Sequence, residues 1–157
     1  MNVLLISPNP EMLPDPVFPI GAAYIAAALK AAGIGVRCLD LCFEEDIAGI
    51  LKREVQAYPP DIIALSLRNV DNVSYPHAVS YLLFYKEVID LLRRFSRAPL
   101  VLGGSGFTLL PETLLNYFKA DYGIAGEGET ALVRLIRHLD GTEKLEVLNP
   151  PLQEAKQ

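Results

Sequence analysis

The stretch from Pro99 to Glu129 constrains the fold of this chain most strongly, because it contains two short apolar runs that each end in glycine. The first run, Leu100 to Leu102, leads into Gly103-Gly104-Ser105-Gly106, and the second leads into Gly126-Glu127-Gly128-Glu129. A helical pattern follows each glycine-rich segment. In an α/β sheet such loops lie at the carboxyl ends of the strands, where ligands bind, and helix N-termini favour anionic groups. The stretch therefore predicts two strand–loop–helix units that share a ligand site.

The rest of the chain alternates in the same way between apolar runs and helical patterns. Further strands are predicted at Asn2–Ser7, Gly35–Asp40 and Ile62–Leu67, and further helices at 20–32, 44–56, about 78–95 and 130–139. Five strands that alternate with five helices predict a three-layer, doubly wound, flavodoxin-like α/β fold with a parallel sheet in the order 2-1-3-4-5. We assign residues 1–140 to this domain. Residues 141–157 show no pattern of a regular element and are predicted to be a linker towards an absent C-terminal domain.

Two of the predicted connections and helices have unusual compositions. The segment from Pro8 to Pro19 contains five prolines and is expected to be an extended loop, because proline disfavours helix and lacks an N–H group. The helix at 20–32 is rich in alanine, so we expect it to be deeply buried. The helix at 78–95 is apolar over much of its surface, with aromatic residues near its start that predict a contact with a second domain: Tyr75, Tyr81, Phe84 and Tyr85.

Charge, the N-terminal apolar run and the cysteines limit the function and location expected of this chain. The chain has 14 basic and 19 acidic residues and a net charge of −5, which argues against nucleic-acid binding through phosphate contacts. The N-terminal apolar run is too short for a signal peptide or a membrane span, so a cytoplasmic protein is expected. The two cysteines, Cys38 and Cys42, are four residues apart across a strand end, which favours reduced, buried thiols over a disulfide. Two thiols without further ligands also form no closed metal site.

The common ligands of doubly wound folds fit this sequence poorly. A dinucleotide site needs G-x-G-x-x-G directly after the first strand, where this chain has prolines, and no G-x-x-x-x-G-K-[ST] phosphate loop occurs. A phospho-receiver domain would carry acidic residues after the first strand, an Asp after the third and a Lys after the fifth. The corresponding positions here hold Ser7-Pro8, Ser66-Leu67-Arg68 and Gly126-Glu127. The proline loop also lacks the composition of an FMN phosphate loop.

Four segments together resemble the N-terminal cobalamin-binding domain of B12-binding radical S-adenosylmethionine proteins, and the resemblance covers nearly the whole chain. The segments are Gly103-Gly104-Ser105-Gly106-Phe107, Leu110-Pro111-Glu112, Ala120-Asp121-Tyr122-Gly123-Ile124 and Gly126-Glu127-Gly128-Glu129. This resemblance implies that the nucleotide tail of cobalamin enters between the ends of the first and third strands, with the corrin ring across the neighbouring loops. The cofactor-binding residues it implies are Pro8, Asn9, Ser66, Leu67, Arg68, Asn69, Asn72, Gly103, Gly104, Ser105, Gly106, Phe107, Gly126, Glu127 and Gly128.

Two departures from related patterns shape the functional expectation. Other cobalamin domains carry a D-x-H-x-x-G motif whose histidine ligates cobalt, but no histidine precedes His77 here, so cobalt is expected to lack a protein imidazole ligand. The C-x3-C-x2-C motif of radical enzymes is also absent. The 4Fe-4S cluster and S-adenosylmethionine are therefore expected only in a C-terminal radical domain of the same polypeptide, which would transfer a methyl or other group to a small-molecule substrate. No catalytic or metal-ligating residue is predicted in this chain.

Several residues also have a plain structural interpretation, which the sequence leaves open. The glycines after the fourth strand could serve only a tight turn, and Ser66 could satisfy only backbone groups. The helix dipole accounts for Glu127 and Glu129. If the loop contacts ligand, Gly104→Val is expected to abolish cobalamin retention and to leave the fold intact. The alternative function is a cofactor-free Rossmann-like interaction domain that positions a substrate or a partner domain.

Overall fold

The computed structural model describes residues 1–74 and 76–144 and the backbone of residues 152–154. The strands are β1 Asn2–Ser7, β2 Gly35–Asp40, β3 Ile62–Ser66, β4 Leu100–Gly103, β5 Tyr122–Ile124 and β6 Leu152–Glu154. The helices are α1 Ile20–Ala31, α2 Ile47–Ala57, α3 Leu82–Phe95, α4 Ser105–Leu109, α5 Pro111–Phe118 and α6 Glu129–Leu139.

The sheet has the order β2-β1-β3-β4-β5-β6, and its first five strands are parallel. The predicted flavodoxin-like fold with parallel order 2-1-3-4-5 is therefore confirmed. The expectation of no regular element after Asp140 is wrong, because the backbone of Leu152–Glu154 forms β6, antiparallel to β5. Three residues are too few to show a strand period in the sequence. The division into a domain at 1–140 and a linker at 141–157 stays a prediction, and residues 145–151 and 155–157 lie outside the described part of the chain.

Side chains that alternate along the central strands fill two separate cores, one on each face of the sheet. On β1, Leu4 and Ile6 point to the core under α2, α3, α4 and α5, whereas Val3 and Leu5 point to the core under α1 and α6. The four apolar side chains are at most 3% exposed. This arrangement gives the three layers of a doubly wound fold.

The predicted deep burial of α1 is wrong. Ala22, Ala26 and Leu29 are buried on one face of the helix, but Ile20 and Tyr24 are 63% and 61% exposed. The reason is that α1 lies on the outside of the sheet, with α6 as its neighbouring helix. Small side chains allow close packing but do not bring a second covering layer.

The aromatic residues near the start of α3 pack largely within their own domain. Tyr81 and Tyr85 are 5% and 0% exposed and belong to the core on the α3 face, and Tyr75 lies outside the described residues. Val79 and Leu83 are exposed apolar residues of this region, at 52% and 76%. The expected contact between this helix and a second domain stays a prediction.

In the described residues, no helix combines the length and the apolar character that crossing a membrane would require.

Candidate functional site

A cleft of about 650 Å³ opens at the carboxyl ends of β1, β3, β4 and β5, on the face of the sheet that α1 and α6 cover. Its volume lies in the usual range for small-molecule and cofactor sites, about 300–1,000 Å³. The glycine-rich loops after β4 and β5 form part of its wall, as the sequence predicts. This cleft is the candidate ligand site of the domain.

The floor of the cleft is an apolar row across the sheet. Leu5 pairs with Ala64, and Ala64 pairs with Val101, so the three side chains lie side by side on the α1/α6 face. They are between 2% and 4% exposed. Ala64 is the short member of the row, and its small side chain deepens the cleft between two larger neighbours.

Two residues further along the strands lies a second row, which carries hydroxyl groups on β1 and β3 and a glycine on β4. Ser7 and Ser66 end β1 and β3 on the same face as the floor residues, and Ser66 pairs with Gly103. Within residues 1–74 and 76–144, neither serine hydroxyl has a hydrogen-bond partner. A Cβ atom at Gly103 would lie 3.6 Å from the Ile124 carbonyl oxygen, so the position is open rather than compressed.

Apolar side chains from two helices and from β5 close the far side of the cleft. Ile25 of α1, Leu132 of α6 and Ile124 of β5 line this wall. Gly128, the residue before α6, allows the start of α6 to lie close to α1, because a Cβ atom at this position would lie 2.8 Å from Ile25 Cδ1. The far wall is therefore formed where α1 and α6 approach each other.

The mouth of the cleft is polar. Arg68 and Ser105 lie at its β3 and β4 side, and Glu127 and Glu129 lie at the start of α6. Arg68 is exposed and forms no salt bridge with any described carboxylate. Asn9 is 4% exposed, and its Oδ1 atom has no hydrogen-bond partner among the described residues. A buried acceptor without a partner is costly, which is a reason to expect a ligand or water donor at this point.

The structure brings nine of the fifteen predicted cofactor-binding residues to the cleft. They are Asn9, Ser66, Arg68, Gly103, Gly104, Ser105, Gly126, Glu127 and Gly128. Six others do not line it: Pro8, Leu67, Asn69, Asn72, Gly106 and Phe107. Contact of any of the fifteen with a ligand stays a prediction.

Two of the six residues outside the cleft have clear structural roles. The Phe107 side chain is fully buried in the core on the opposite face of the sheet. Asn72 Oδ1 accepts hydrogen bonds from the backbone N–H groups of Val79, at 2.8 Å, and Ser74, at 3.2 Å, and so holds the loop between β3 and α3.

The loops after β3 and β4 are packed directly against each other. Gly104 has a φ of 94°, and a Cβ atom there would lie 2.5 Å from the Leu67 carbonyl oxygen. A Cβ atom at Gly106 would lie 2.9 Å from Asn69 Cα. The Gly106 N–H donates to the Leu67 carbonyl at 2.8 Å, and Ser105 Oγ donates to the Arg68 carbonyl at 2.6 Å. Two of the three glycines are thus required by this loop contact, and a side chain at Gly104 would strain it. That Gly104→Val keeps the fold stays a prediction.

Some lining residues were not singled out from the sequence. Ser7 could have been found, because it has the same parity as Leu5 on β1 and ends the strand. Phe18, Ile20 and Ile25 belong to the proline loop and α1, where no residue pattern distinguishes a cleft wall from an ordinary helix start. Thr108 also lines the cleft, and its Oγ1 accepts a 2.9 Å hydrogen bond from the Gly126 N–H.

Glu11 and Tyr81 connect the proline loop to the segment before α3. The Tyr81 hydroxyl donates a hydrogen bond to Glu11, which lowers the pKa of that carboxyl group. Burial, together with the same hydrogen bond, raises the pKa of Tyr81. Cys42 Sγ lies 3.5 Å from the Glu11 carbonyl oxygen, and burial raises the pKa of this thiol, which keeps it protonated at neutral pH. The prediction of buried thiols is wrong for Cys38, which is exposed on β2, the edge strand of the sheet.

Neither histidine reaches the cleft. His77 is exposed on the loop between β3 and α3, and His138 is exposed near the end of α6. Among the described residues, no group of three His, Cys, Asp or Glu side chains could hold a metal ion.

The fold and cleft define a doubly wound α/β domain with a ligand site at the carboxyl ends of its parallel strands. The B12 binding domain family matches residues 13–136, and the chain belongs to that family.

Comparison with known proteins places this chain beside one part of larger enzymes. It is 35% identical over 132 residues to tryptophan 2-C-methyltransferase from Streptomyces laurentii, covering 83% of this chain and 22% of that protein. It is 31% identical over 149 residues to hopanoid C-3 methylase from Methylococcus capsulatus, covering 88% and 26%. The structure of the radical S-adenosylmethionine methyltransferase TsrM from Kitasatospora setae, with cobalamin and a 4Fe-4S cluster bound, superposes with a TM-score of 0.90 at 30% identity. That superposition covers 100% of this chain and 30% of TsrM.

Proposed function

We propose that this chain is the cobalamin-binding module of a larger, cobalamin-dependent radical S-adenosylmethionine protein that transfers a methyl group. The observation that carries the proposal is a cleft of about 650 Å³ at the strand ends of a chain that matches the B12 binding family over residues 13–136. The relatives with 35% and 31% identity are a methyltransferase and a methylase by name, which supports the same reaction class.

The residues of the cleft fit the nucleotide tail of cobalamin. A flat aromatic base would lie on the apolar row of Leu5, Ala64 and Val101, and the absence of a side chain at Gly103 would leave room for it. The free hydroxyl of Ser66 can donate a hydrogen bond to a ring nitrogen of the base.

Polar groups at the mouth fit the remaining parts of the cofactor. The Arg68 guanidinium can pair with the tail phosphate. The partnerless Asn9 Oδ1 can accept from an amide of the corrin side chains. When bound, cobalamin supplies a cobalt centre that can carry a methyl group. The role of this chain is to hold that cofactor at the edge of the sheet.

Cobalt would be held without an imidazole ligand from this chain. Both histidines lie away from the cleft, and burial keeps the nearby Cys42 thiol protonated. The module would therefore control the cofactor through its tail and its corrin amides and not through a side chain bonded to the metal.

The catalytic chemistry belongs to another part of the polypeptide. This chain has two cysteines, fewer than the three that hold a radical 4Fe-4S cluster, and it corresponds to 22–26% of the length of the relatives named above. The cluster, S-adenosylmethionine and the small-molecule substrate are assigned to a C-terminal radical domain.

The test is retention of hydroxocobalamin by the purified 157-residue chain. The protein is mixed with the corrinoid over a range of concentrations, passed through a desalting column and measured by visible absorbance. We expect corrin absorbance to elute with the protein and to saturate at one equivalent. A protein fraction without corrin absorbance at every concentration would contradict the proposal and would favour a cofactor-free interaction domain.

A further inference from the structure

We infer that the cleft selects the lower base of its corrinoid: it favours a benzimidazole base and disfavours a purine base such as adenine. This inference rests on the proposed function, and it concerns the floor and far wall of the same cleft. Natural corrinoids share one ring system and differ in this base, so the lining of the cleft decides which of them the protein retains.

Among the residues that the structure describes, no polar side chain lines the deep part of the cleft. Its floor is the row of Leu5, Ala64 and Val101, and its far wall is Ile124, Leu132 and Ile25. The floor residues together with Ile124 and Leu132 are between 2% and 4% exposed. A base that enters this region therefore loses its contacts with water and gains contacts with aliphatic side chains.

The polar side chains of the cleft lie above the floor. Ser7 and Ser66 present hydroxyls one row higher, at the β1 and β3 side. At the β4 and β5 side, the upper row contains Gly103, which has no side chain, and the Ile124 carbonyl oxygen lies beside it. A base can thus find hydrogen-bond partners at one upper edge, but not where it meets the floor.

The two kinds of base respond differently to such a cleft. 5,6-Dimethylbenzimidazole has one free ring nitrogen, which the Ser66 hydroxyl can satisfy, and it presents two methyl groups and a benzene edge to the floor. Adenine carries several ring nitrogens and an amino group distributed around its edge, so at least one of them would meet the aliphatic floor without a partner. A buried polar group without a hydrogen bond weakens binding by about fivefold to a hundredfold.

The experiment compares three corrinoids on the 157-residue chain by titration monitored with visible absorbance. The probes are cobalamin, its adenine-containing analogue pseudocobalamin, and cobinamide, which has no nucleotide tail. We expect cobalamin to bind about tenfold to a hundredfold more tightly than pseudocobalamin, and cobinamide to bind more weakly than cobalamin.

A matched pair of substitutions locates the selectivity. Val101→Thr keeps the size of the floor residue and adds a hydroxyl group, so we expect the preference for cobalamin to fall by about threefold or more. Val3→Thr makes the same change in the same core, at a 0% exposed position outside the cleft, and is expected to leave the preference unchanged. Thermal unfolding shows whether each variant is folded at the titration temperature, and Ala64→Ser replaces Val101→Thr if the latter is not.

Each outcome separates this inference from the proposed function. Equal affinity for cobalamin and pseudocobalamin, with weaker cobinamide, would overturn the selectivity and leave tail binding in place. Equal affinity for all three would show that the base does not enter the cleft, and would also overturn the inference. Retention of none of them would contradict the proposed function itself.

Discussion

Filling the cleft at Gly103 should separate ligand binding from folding. A Cβ atom at this position would lie 3.6 Å from the Ile124 carbonyl oxygen and 4.0 Å from Ile124 Cβ, which are ordinary contact distances. Gly103 is the last residue of β4, and its φ is not in the left-handed region. Gly103→Val therefore needs no backbone change, and replacing a strand glycine favours folding by about 0.5–1 kcal/mol through the unfolded state.

The valine methyl groups would occupy the space between Ser66 and Ile124 that we assign to the base. Overpacking by one or two methyl groups costs about 1–3 kcal/mol, which corresponds to a loss of affinity of about fivefold to a hundredfold. The assay is a hydroxocobalamin titration by visible absorbance, with thermal unfolding by circular dichroism as the test of the fold. We expect Gly103→Val to bind at least fivefold more weakly, with a Tm within about 2 °C of the parent chain.

Gly104→Val is the comparison variant, because its expected effect is a loss of stability. Its φ of 94° and the 2.5 Å approach of a Cβ atom to the Leu67 carbonyl oxygen make any side chain strained. With a ψ of 171°, this backbone conformation is essentially restricted to glycine and costs another residue about 1–3 kcal/mol, so we expect the Tm of the variant to fall by at least about 3 °C. If Gly103→Val bound hydroxocobalamin as tightly as the parent, the assignment of the base to this part of the cleft would be refuted.

Three further predictions concern stability and titration. Tyr81→Phe removes the donor to Glu11, so NMR titration should show the Glu11 pKa rising towards its ordinary value. Because the folded-state pKa of Glu11 is lowered, its contribution to stability is present above the unfolded-state pKa and is lost as the pH falls through the folded-state pKa. Urea unfolding of Tyr81→Phe should show a smaller acid-side loss, because the hydrogen bond from the Leu13 N–H to Glu11 remains. Phe107→Ala, at a 0% exposed position, should lower the free energy of unfolding by about 3–5 kcal/mol, measured in urea. Asp46→Ala removes the N-cap acceptor that lies 2.9 Å from the Gly49 N–H, and should lower the free energy of unfolding by about 1 kcal/mol in the same assay.

The architecture was predictable because its determinants are local. Each central strand is a short apolar run bounded by glycine or proline, and such runs alternate with helical patterns, which leaves few topologies open. Helix starts were less accurate. The second helix begins at Ile47 and not at residue 44, because Asp46 caps it. The third begins at Leu82 and not near residue 78, because Ser80 forms a bridge with Asp71.

The candidate site was predictable in position but not in detail. The glycine-rich loops indicate which end of the sheet holds the cleft, yet Gly103, Gly104 and Gly106 cannot be told apart by residue type. Their roles differ because of what lies opposite them, open space for the first and the backbone of Leu67 and Asn69 for the other two. Such neighbours come from distant parts of the chain, and a single sequence does not report them.

The contact between the loops after β3 and β4 has a consequence for how this cleft can change shape. Gly104 and Gly106 pack against Leu67 and Asn69, and Ser105 Oγ donates a hydrogen bond to the Arg68 carbonyl oxygen. These contacts join the two loops into one rigid part of the cleft wall. The proline-rich segment also lines the cleft but has no such glycine contact, and its apolar Phe18 is 71% exposed. Substitutions that adapt the domain to larger ligands should therefore be made in the proline-rich segment and should leave Gly104 and Gly106 unchanged.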